Sequence, residues 1–126
     1  KSVLRQANTF ESMYFENTGN LNFVPHPLPD PLQFSTLNAC TLSDLNGDGS
    51  MEAILGGNFY ECNIEMGRYD ANFGSVLSFD KNGKMTLSPL GDLRIKGQVR
   101  RSKSILINGK KTFILARNNE SCVVIQ

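Results

Sequence analysis

The sequence predicts an all-β fold built from short antiparallel strands. Brief apolar runs recur along the 126 residues and are separated by Gly, Asn and Pro. Asn82-Gly83 and Asn108-Gly109 are Asn-Gly pairs, which tolerate the positive φ of a tight hairpin turn. Only the first segment, Val3 to Thr9, has a composition compatible with a helical turn or two. We therefore expect a succession of hairpins.

The first half of the chain contains four predicted strands. Residues 13–16 and 21–24 flank the turn sequence Asn-Thr-Gly-Asn and form a hairpin pattern. Four prolines in residues 25–31 then predict a loop or a strand-edge crossing, since proline cannot donate to a ladder. Residues 38–43 and 51–57 are strand-like runs on either side of a polar loop.

The second half adds five predicted strands. Residues 74–79 and 85–87 flank the first Asn-Gly turn, and 98–107 and 111–116 flank the second. Residues 122–125 form a short closing strand. The turns at Gly19 and Gly83 have similar settings, which indicates a faint internal repeat.

Several strands are apolar at consecutive positions instead of alternating. Examples are Ala53-Ile54-Leu55, Ile105-Leu106-Ile107, Phe113-Ile114-Leu115 and Val123-Val124-Ile125. A sheet with one wet face alternates, so continuous apolarity indicates that both faces are covered. Stacked blades of a β-propeller satisfy this condition, as does the middle of a sandwich. We predict propeller-type blades.

The length sets how many blades the chain can supply. A four-stranded blade takes ~40–50 residues, so 126 residues make a fragment of about two to three blades. We expect the last two strands of one blade and a Pro-rich loop in 1–36, a full central blade in 37–90, and three strands of a last blade in 91–126. Propellers close with at least four blades. Uncovered blade faces predict packing with missing blades or self-association.

Charge and hydropathy exclude some partners. The formal net charge of +1 gives no support to polyanion binding, and no apolar run is long enough to span a bilayer. Seven basic residues lie from Arg94 to Lys111, without the interleaved aromatic residues of a nucleic-acid groove. Basic side chains that protect a strand edge explain them better. We expect no nucleic-acid partner.

The cysteines and the histidine give no catalytic or zinc site. The chain has three cysteines, Cys40, Cys62 and Cys122. This number is small and odd, whereas a disulfide framework needs a larger, even number. We expect Cys40 and Cys122 to be buried in strands and Cys62 to be a free thiol in a loop. His26 lies between two prolines, and we expect it to be an exposed loop residue without a partner.

The loop between the third and fourth predicted strands has oxygen-bearing side chains at alternate positions. Asp44, Asn46 and Asp48 supply side-chain oxygens, Ser50 a backbone carbonyl, and Glu52 a closing carboxylate. Ca²⁺ takes six to eight such oxygens at about 2.3–2.6 Å. We therefore predict Ca²⁺ as the cofactor and these five residues as its ligands.

An EF-hand loop and a plain turn are the alternative interpretations of this loop. An EF-hand needs a glutamate at the twelfth loop position and flanking helices, but Leu55 stands there and a strand follows. A plain turn that binds nothing is the other alternative, since Asn-Gly and Asp-Gly are common in turns. A plain turn does not need three carboxylates, whose repulsion a cation relieves.

The polar, aromatic stretch 58–73 is the longest part without a strand pattern and the best candidate for ligand recognition. Its aromatic and charged side chains are typical contact residues. Alternatively, Arg68 and Asp70 pair with neighbours while the tyrosines pack under the loop. The ligand-binding candidates are Asn58, Tyr60, Glu65, Arg68, Tyr69 and Asp70, with Arg117 and Asn118 from a later strand end.

A carbohydrate-active enzyme, or its substrate-binding part, is the alternative function. Glu61 with Glu65 or Asp70 would supply the carboxylate pair that glycoside hydrolysis needs. No nucleophile motif and no phosphate loop occur in the chain. We predict no catalytic residues and a non-catalytic role.

Four sequence features follow one another in the central part of the chain. They are the loop at 44–49, the apolar strand 53–55, the turn Gly56-Gly57-Asn58 and the Gly-x-Val strand 74–79. This order resembles one FG-GAP/VCBS-type repeat of integrin α-subunit propellers and bacterial surface proteins. Glu52 replaces the usual aspartate, and Gly57-Asn58 replaces an Ala-Pro turn.

The flanking segments extend the resemblance. Tyr14 to Phe23 looks like the hairpin between metal loops, while 56–60 and 66–71 are similar to the last repeats of propellers that accompany ASPIC/UnbV-type domains. The resemblance implies a propeller blade, bound Ca²⁺ and an extracellular, periplasmic or cell-surface setting. We accordingly expect a calcium-binding recognition module for a protein or glycan ligand.

Overall fold

A computed structural model describes residues 2–92 and 94–126, in which nine strands form three antiparallel sheets. The all-β class is confirmed, since the described residues contain no α-helix and only one 3₁₀ turn, at Asp30–Leu32. The strands are β1 Met13–Gly19, β2 Asn22–Pro27, β3 Leu37–Ser43, β4 Glu52–Gly57, β5 Ser75–Phe79, β6 Met85–Pro89, β7 Val99–Ile107, β8 Lys110–Arg117 and β9 Val123–Ile125.

The sheets contain two, four and three strands, in the orders β1-β2, β3-β4-β5-β6 and β7-β8-β9. Every connection within a sheet joins sequence neighbours, so each sheet is a simple meander. No helix in the described part of the chain is long and apolar enough to cross a membrane.

The first sheet is a hairpin in which His26 has partners. His26 lies on β2 opposite Tyr14, stacks on that ring at 4.7 Å, and places its Nε2 2.9 Å from Glu16 Oε2. The expectation of an unpartnered loop histidine was therefore wrong. The strand also continues through Pro25 and Pro27. Both prolines are tolerated because β2 is an edge strand of this sheet, where a missing N–H costs no ladder bond.

The second sheet has a fully buried inner strand. Every residue of β4 is buried, as its continuous apolar sequence predicted. One face, around Ile54, packs against the third sheet through Val99 and Leu115, which are at most 2% exposed. The other face, around Leu55 and Leu77, packs against Leu32 and its neighbours. Two hydrophobic clusters thus lie on either side of one sheet.

The third sheet contacts the second sheet through β7. Thr41 on β3 and Ser102 on β7 share a hydrogen bond of 2.6 Å between their hydroxyls. The β7 edge carries the exposed basic residues Arg101 and Lys103. Their position on an edge strand agrees with the interpretation that they protect an edge.

Burial differs from the sequence prediction at several strand ends. Leu106 is 72% exposed and Val124 is 58% exposed, so those two runs are not covered on both faces. Cys40 and Cys122 are exposed instead of buried. Cys122 lies just outside the terminal strand, and Cys40 lies on an edge strand with only partial cover.

The segment from Val3 to Thr9 forms no helix. Leu4 is 94% exposed and Val3 is 80% exposed, so the segment buries no apolar face. An isolated helix this short is unstable in water, because nucleation is costly and packing supplies most helical stability.

Candidate functional site

The predicted metal loop connects β3 to β4 at one end of the four-stranded sheet. Ser43 and Glu52 face each other as the last ladder pair, and eight residues lie between them. Gly47 and Gly49 adopt φ of +80° and +86°, a backbone conformation that side chains with a Cβ rarely adopt. These two glycines allow the chain to reverse direction within the loop.

The carboxylate of Asp44 organises the loop. Its Oδ1 accepts the Gly47 N–H at 2.6 Å and its Oδ2 accepts the Gly49 N–H at 3.0 Å. Asp44 therefore satisfies two backbone N–H groups of the turn. On the outer side, Lys111 of β8 donates from Nζ to the Asp44 backbone carbonyl at 2.9 Å. That contact ties the loop to the third sheet.

The next two candidates repeat the pattern at alternate positions. Asn46 Oδ1 accepts the Asp48 N–H at 2.9 Å, and Asp48 Oδ1 accepts the Ser50 N–H at 2.7 Å. Asn46 Nδ2 also donates to Asp48 Oδ2 at 2.9 Å. The Ser50 backbone N–H, followed by the side chains of Asn46 and Ser50, lowers the pKa of Asp48. Asp48 is therefore anionic at neutral pH.

Glu52 closes the loop from the strand side. It is buried, and its Oε2 accepts the Leu45 N–H at 2.8 Å. The longer glutamate side chain therefore reaches across to the start of the loop. A buried carboxylate is costly unless it is hydrogen-bonded or neutralised by a cation.

The donor set fits a hard cation. All five candidate ligands offer oxygen and none offers sulfur or nitrogen, which suits Ca²⁺ better than zinc or copper. In residues 2–92 and 94–126 no group of three or more His, Cys, Asp or Glu side chains is arranged to hold a metal ion. The loop carboxylates of Asp44, Asp48 and Glu52 instead accept backbone N–H groups of the loop. The finding speaks neither for nor against Ca²⁺.

Asn58, predicted as a ligand contact, is instead a buried structural residue. It is 1% exposed and has a φ of +84°. Its Oδ1 accepts the Ser35 hydroxyl at 2.8 Å and the Asn72 N–H at 2.9 Å. Its Nδ2 donates to the carbonyls of Asn72 at 2.7 Å and Gly97 at 3.0 Å. A saturated, buried amide cannot receive a ligand.

Of the other candidates in the 58–73 loop, Tyr60 and Arg68 contact each other, whereas Glu65, Tyr69 and Asp70 are exposed. Tyr60 is half-buried, its hydroxyl accepts the Gly97 N–H at 3.1 Å, and the Arg68 guanidinium lies 4.9 Å from its ring centroid. Glu65 and Asp70 are exposed. Tyr69 is 42% exposed, and its backbone pairs with that of Phe59.

The later strand end does approach this loop. Asn118 Nδ2 donates to Glu61 Oε1 at 3.0 Å, and Arg100 Nη2 donates to Glu61 Oε2 at 3.1 Å. Arg117 turns away, forming an ion pair with Glu120 and donating to the Lys96 carbonyl at 2.9 Å. The structure therefore brings Asn118 to the loop but engages Arg117 elsewhere.

Glu61, the shared member of the carboxylate pair in the enzyme alternative, has two hydrogen-bond partners. Both oxygens of Glu61 are engaged by Arg100 and Asn118. Glu61 thus links the 58–73 loop to Arg100 on β7 and to Asn118 after β8. The contribution of Arg100 was missed from the sequence, since its distance of 39 residues from Glu61 gives no local signal.

No protein-family model, curated protein or solved structure compared with this chain matches it.

Proposed function

We propose that this chain is a calcium-binding repeat module of the FG-GAP/VCBS type, acting in non-catalytic recognition of a protein or glycan ligand. The observation that carries the proposal is the loop between β3 and β4. Five oxygen donors alternate there around a turn made by Gly47 and Gly49, and a buried glutamate closes it.

The sheet arrangement supports propeller-type blades. The second sheet is a four-stranded meander, which is the unit of a propeller blade. The third sheet packs on a face of the second sheet. The first strands of the two sheets, β3 and β7, are joined there by the hydrogen bond between Thr41 and Ser102. Gly56 permits this close approach, because a Cβ there would lie 3.0 Å from a Val99 methyl.

An extracellular, periplasmic or cell-surface location agrees with the proposed ion. Extracellular Ca²⁺ modules bind with dissociation constants of ~10⁻⁴–10⁻³ M, which requires a calcium-rich surrounding. In such a setting the ion would neutralise Asp44, Asp48 and Glu52 and hold the hairpin closed. Calcium is therefore assigned a structural role.

Removing calcium is expected to lower the melting temperature by several degrees. Ligand at ten times its dissociation constant stabilises the folded state by about 1.4 kcal/mol, and at a hundred times by about 2.7 kcal/mol. Differential scanning calorimetry with 10 mM CaCl₂ and with excess chelator measures this shift. Asp48→Ala should abolish the shift, whereas the exposed turn variant Asp80→Ala should retain it. Identical wild-type melting curves in the two conditions would refute the proposal.

The first sheet, the β1–β2 hairpin, covers only part of one face of the second sheet. A cleft of about 440 Å³, lined by apolar residues that include Met13, Leu42 and Leu55, remains between the hairpin and the second sheet. Leu42 is 62% exposed there. We expect missing blades or another copy to cover this face, so the isolated chain should exceed its monomer mass of 14.0 kDa in light scattering. A stable monomer at high concentration would count against this.

A further inference from the structure

A second cleft lies between the N-terminal segment and the 58–73 loop, on a different side of the molecule from the calcium loop. It encloses about 230 Å³. Three aromatic residues and three hydroxyl residues line it, together with Gln33, and none of these residues is charged. The aromatic residues are Phe10, Phe59 and Tyr69, and the hydroxyl residues are Ser12, Ser35 and Thr36.

One wall of the cleft is a pair of aromatic residues. Phe59 and Tyr69 exchange two backbone hydrogen bonds, each of 2.9 Å, as an isolated antiparallel bridge. Directly opposed residues of an antiparallel pair project their side chains to the same face. Both residues line the cleft, Tyr69 remains 42% exposed, and the Arg100 guanidinium lies 5.9 Å from the Phe59 ring centroid.

The opposite wall is anchored by a glutamine. Gln33 Oε1 accepts the Ser12 N–H at 2.7 Å, and Gln33 Nε2 donates to the Ser12 carbonyl at 2.8 Å. This side chain imitates a strand partner and fixes the backbone of Ser12. Phe10, two residues earlier, is 89% exposed and lines the cleft. The second wall thus presents another aromatic ring to the open space.

The floor of the cleft contains the hydroxyl groups of Ser35 and Thr36, and Ser35 is hydrogen-bonded to the buried Asn58. Ser35 is 7% exposed, and its hydroxyl lies 2.8 Å from Asn58 Oδ1 and 3.0 Å from the Tyr69 carbonyl oxygen. Its single proton goes to one of these acceptors, and its oxygen lone pairs remain as acceptors. Thr36 follows it and is exposed. Because Asn58 is itself fully hydrogen-bonded, the floor is held in place before any ligand arrives.

We propose that this cleft binds one neutral saccharide ring, such as the terminal unit of a glycan. Aromatic walls with a few placed polar groups are the usual composition of small-molecule sites, and this volume lies below the ~300–1,000 Å³ of drug-sized pockets. Sugar rings combine apolar C–H faces with hydroxyls that both donate and accept, and uncharged hydroxyl partners match them. The inference rests on the proposed recognition function and names its ligand class.

The test is a ¹H–¹⁵N NMR titration of the chain, in 10 mM CaCl₂, with the methyl glycosides of glucose, galactose, mannose and N-acetylglucosamine. At least one should shift the amides of Ser35, Thr36 and Tyr69, with a dissociation constant of about 1 mM or weaker, as expected for so few atoms. Tyr69→Ala and Phe10→Ala should each weaken binding by about tenfold, because each removes an aromatic contact.

Phe15→Ala is the matched control, since Phe15 is 60% exposed on β1 and lies outside the cleft. It should leave the affinity unchanged. Phe10→Ala keeps the test valid if Tyr69→Ala misfolds, because Phe10 makes little contact with the fold. No shift with any of the four glycosides, or an affinity of Phe10→Ala equal to that of the wild type, would overturn the inference. Its failure is distinguishable from failure of the calcium proposal, which the melting shift tests without any sugar.

Discussion

Asn58→Ala is expected to reduce the free energy of unfolding by about 3–5 kcal/mol, among the largest effects of any single substitution in this chain. The variant loses four side-chain hydrogen bonds and leaves buried backbone groups of Asn72 and Gly97 without their partner. The Ser35 hydroxyl keeps the Tyr69 carbonyl as an acceptor at 3.0 Å. Each unsatisfied buried group costs about 1–3 kcal/mol. A φ of +84° adds strain to alanine.

Urea unfolding followed by circular dichroism measures this loss. Asn108→Ala is the matched control, because Asn108 also has a positive φ, of +51°, but lies exposed in the β7–β8 turn. It should lose only about 1–2 kcal/mol, the cost of a left-handed conformation for a residue with a Cβ. Equal losses in the two variants would show that Asn58 does not act through its buried hydrogen bonds.

Gly57→Ala is expected to be comparably damaging, at about 3 kcal/mol or more. An added Cβ would lie 1.7 Å from the Thr36 carbonyl oxygen and 3.1 Å from the Leu37 Cα. Both atoms belong to the backbone of the neighbouring segment, so no side-chain rotation relieves the clash. The β3–β4 pairing at Leu37 and Gly57 would have to open.

Thermal melting of Gly57→Ala and Gly83→Ala distinguishes the steric clash from the conformational strain of replacing a glycine. Gly83 has a φ of +77°, yet its added Cβ would meet nothing within 4 Å. Its substitution therefore costs only conformational strain. A melting temperature for Gly57→Ala equal to or above that of Gly83→Ala would contradict the steric account.

The elements that were predicted correctly depend on local sequence. Asn-Gly pairs marked two hairpins, and the continuous apolar run of β4 indicated burial on both faces. The loop at 44–52 is also local, since its oxygen donors follow one another within one turn. Its placement between two strands could therefore be predicted from the residues on either side.

The features that were missed depend on residues distant in sequence. Asn58 joins Ser35, Asn72 and Gly97, which are separated from it by 23, 14 and 39 positions. No local pattern indicates that such an asparagine is buried. Cys40 lies in an apolar run, but its exposure follows from an edge position that only the sheet order decides.

A Ca²⁺ ion held between β3 and β4 would be visible in a crystal structure from crystals grown in 10 mM CaCl₂. We expect one strong density peak, with side-chain oxygens of Asp44, Asn46, Asp48 and Glu52 and the Ser50 carbonyl oxygen at about 2.3–2.6 Å. A loop without that peak, with its three carboxylates turned toward water, would rule out the proposed calcium site.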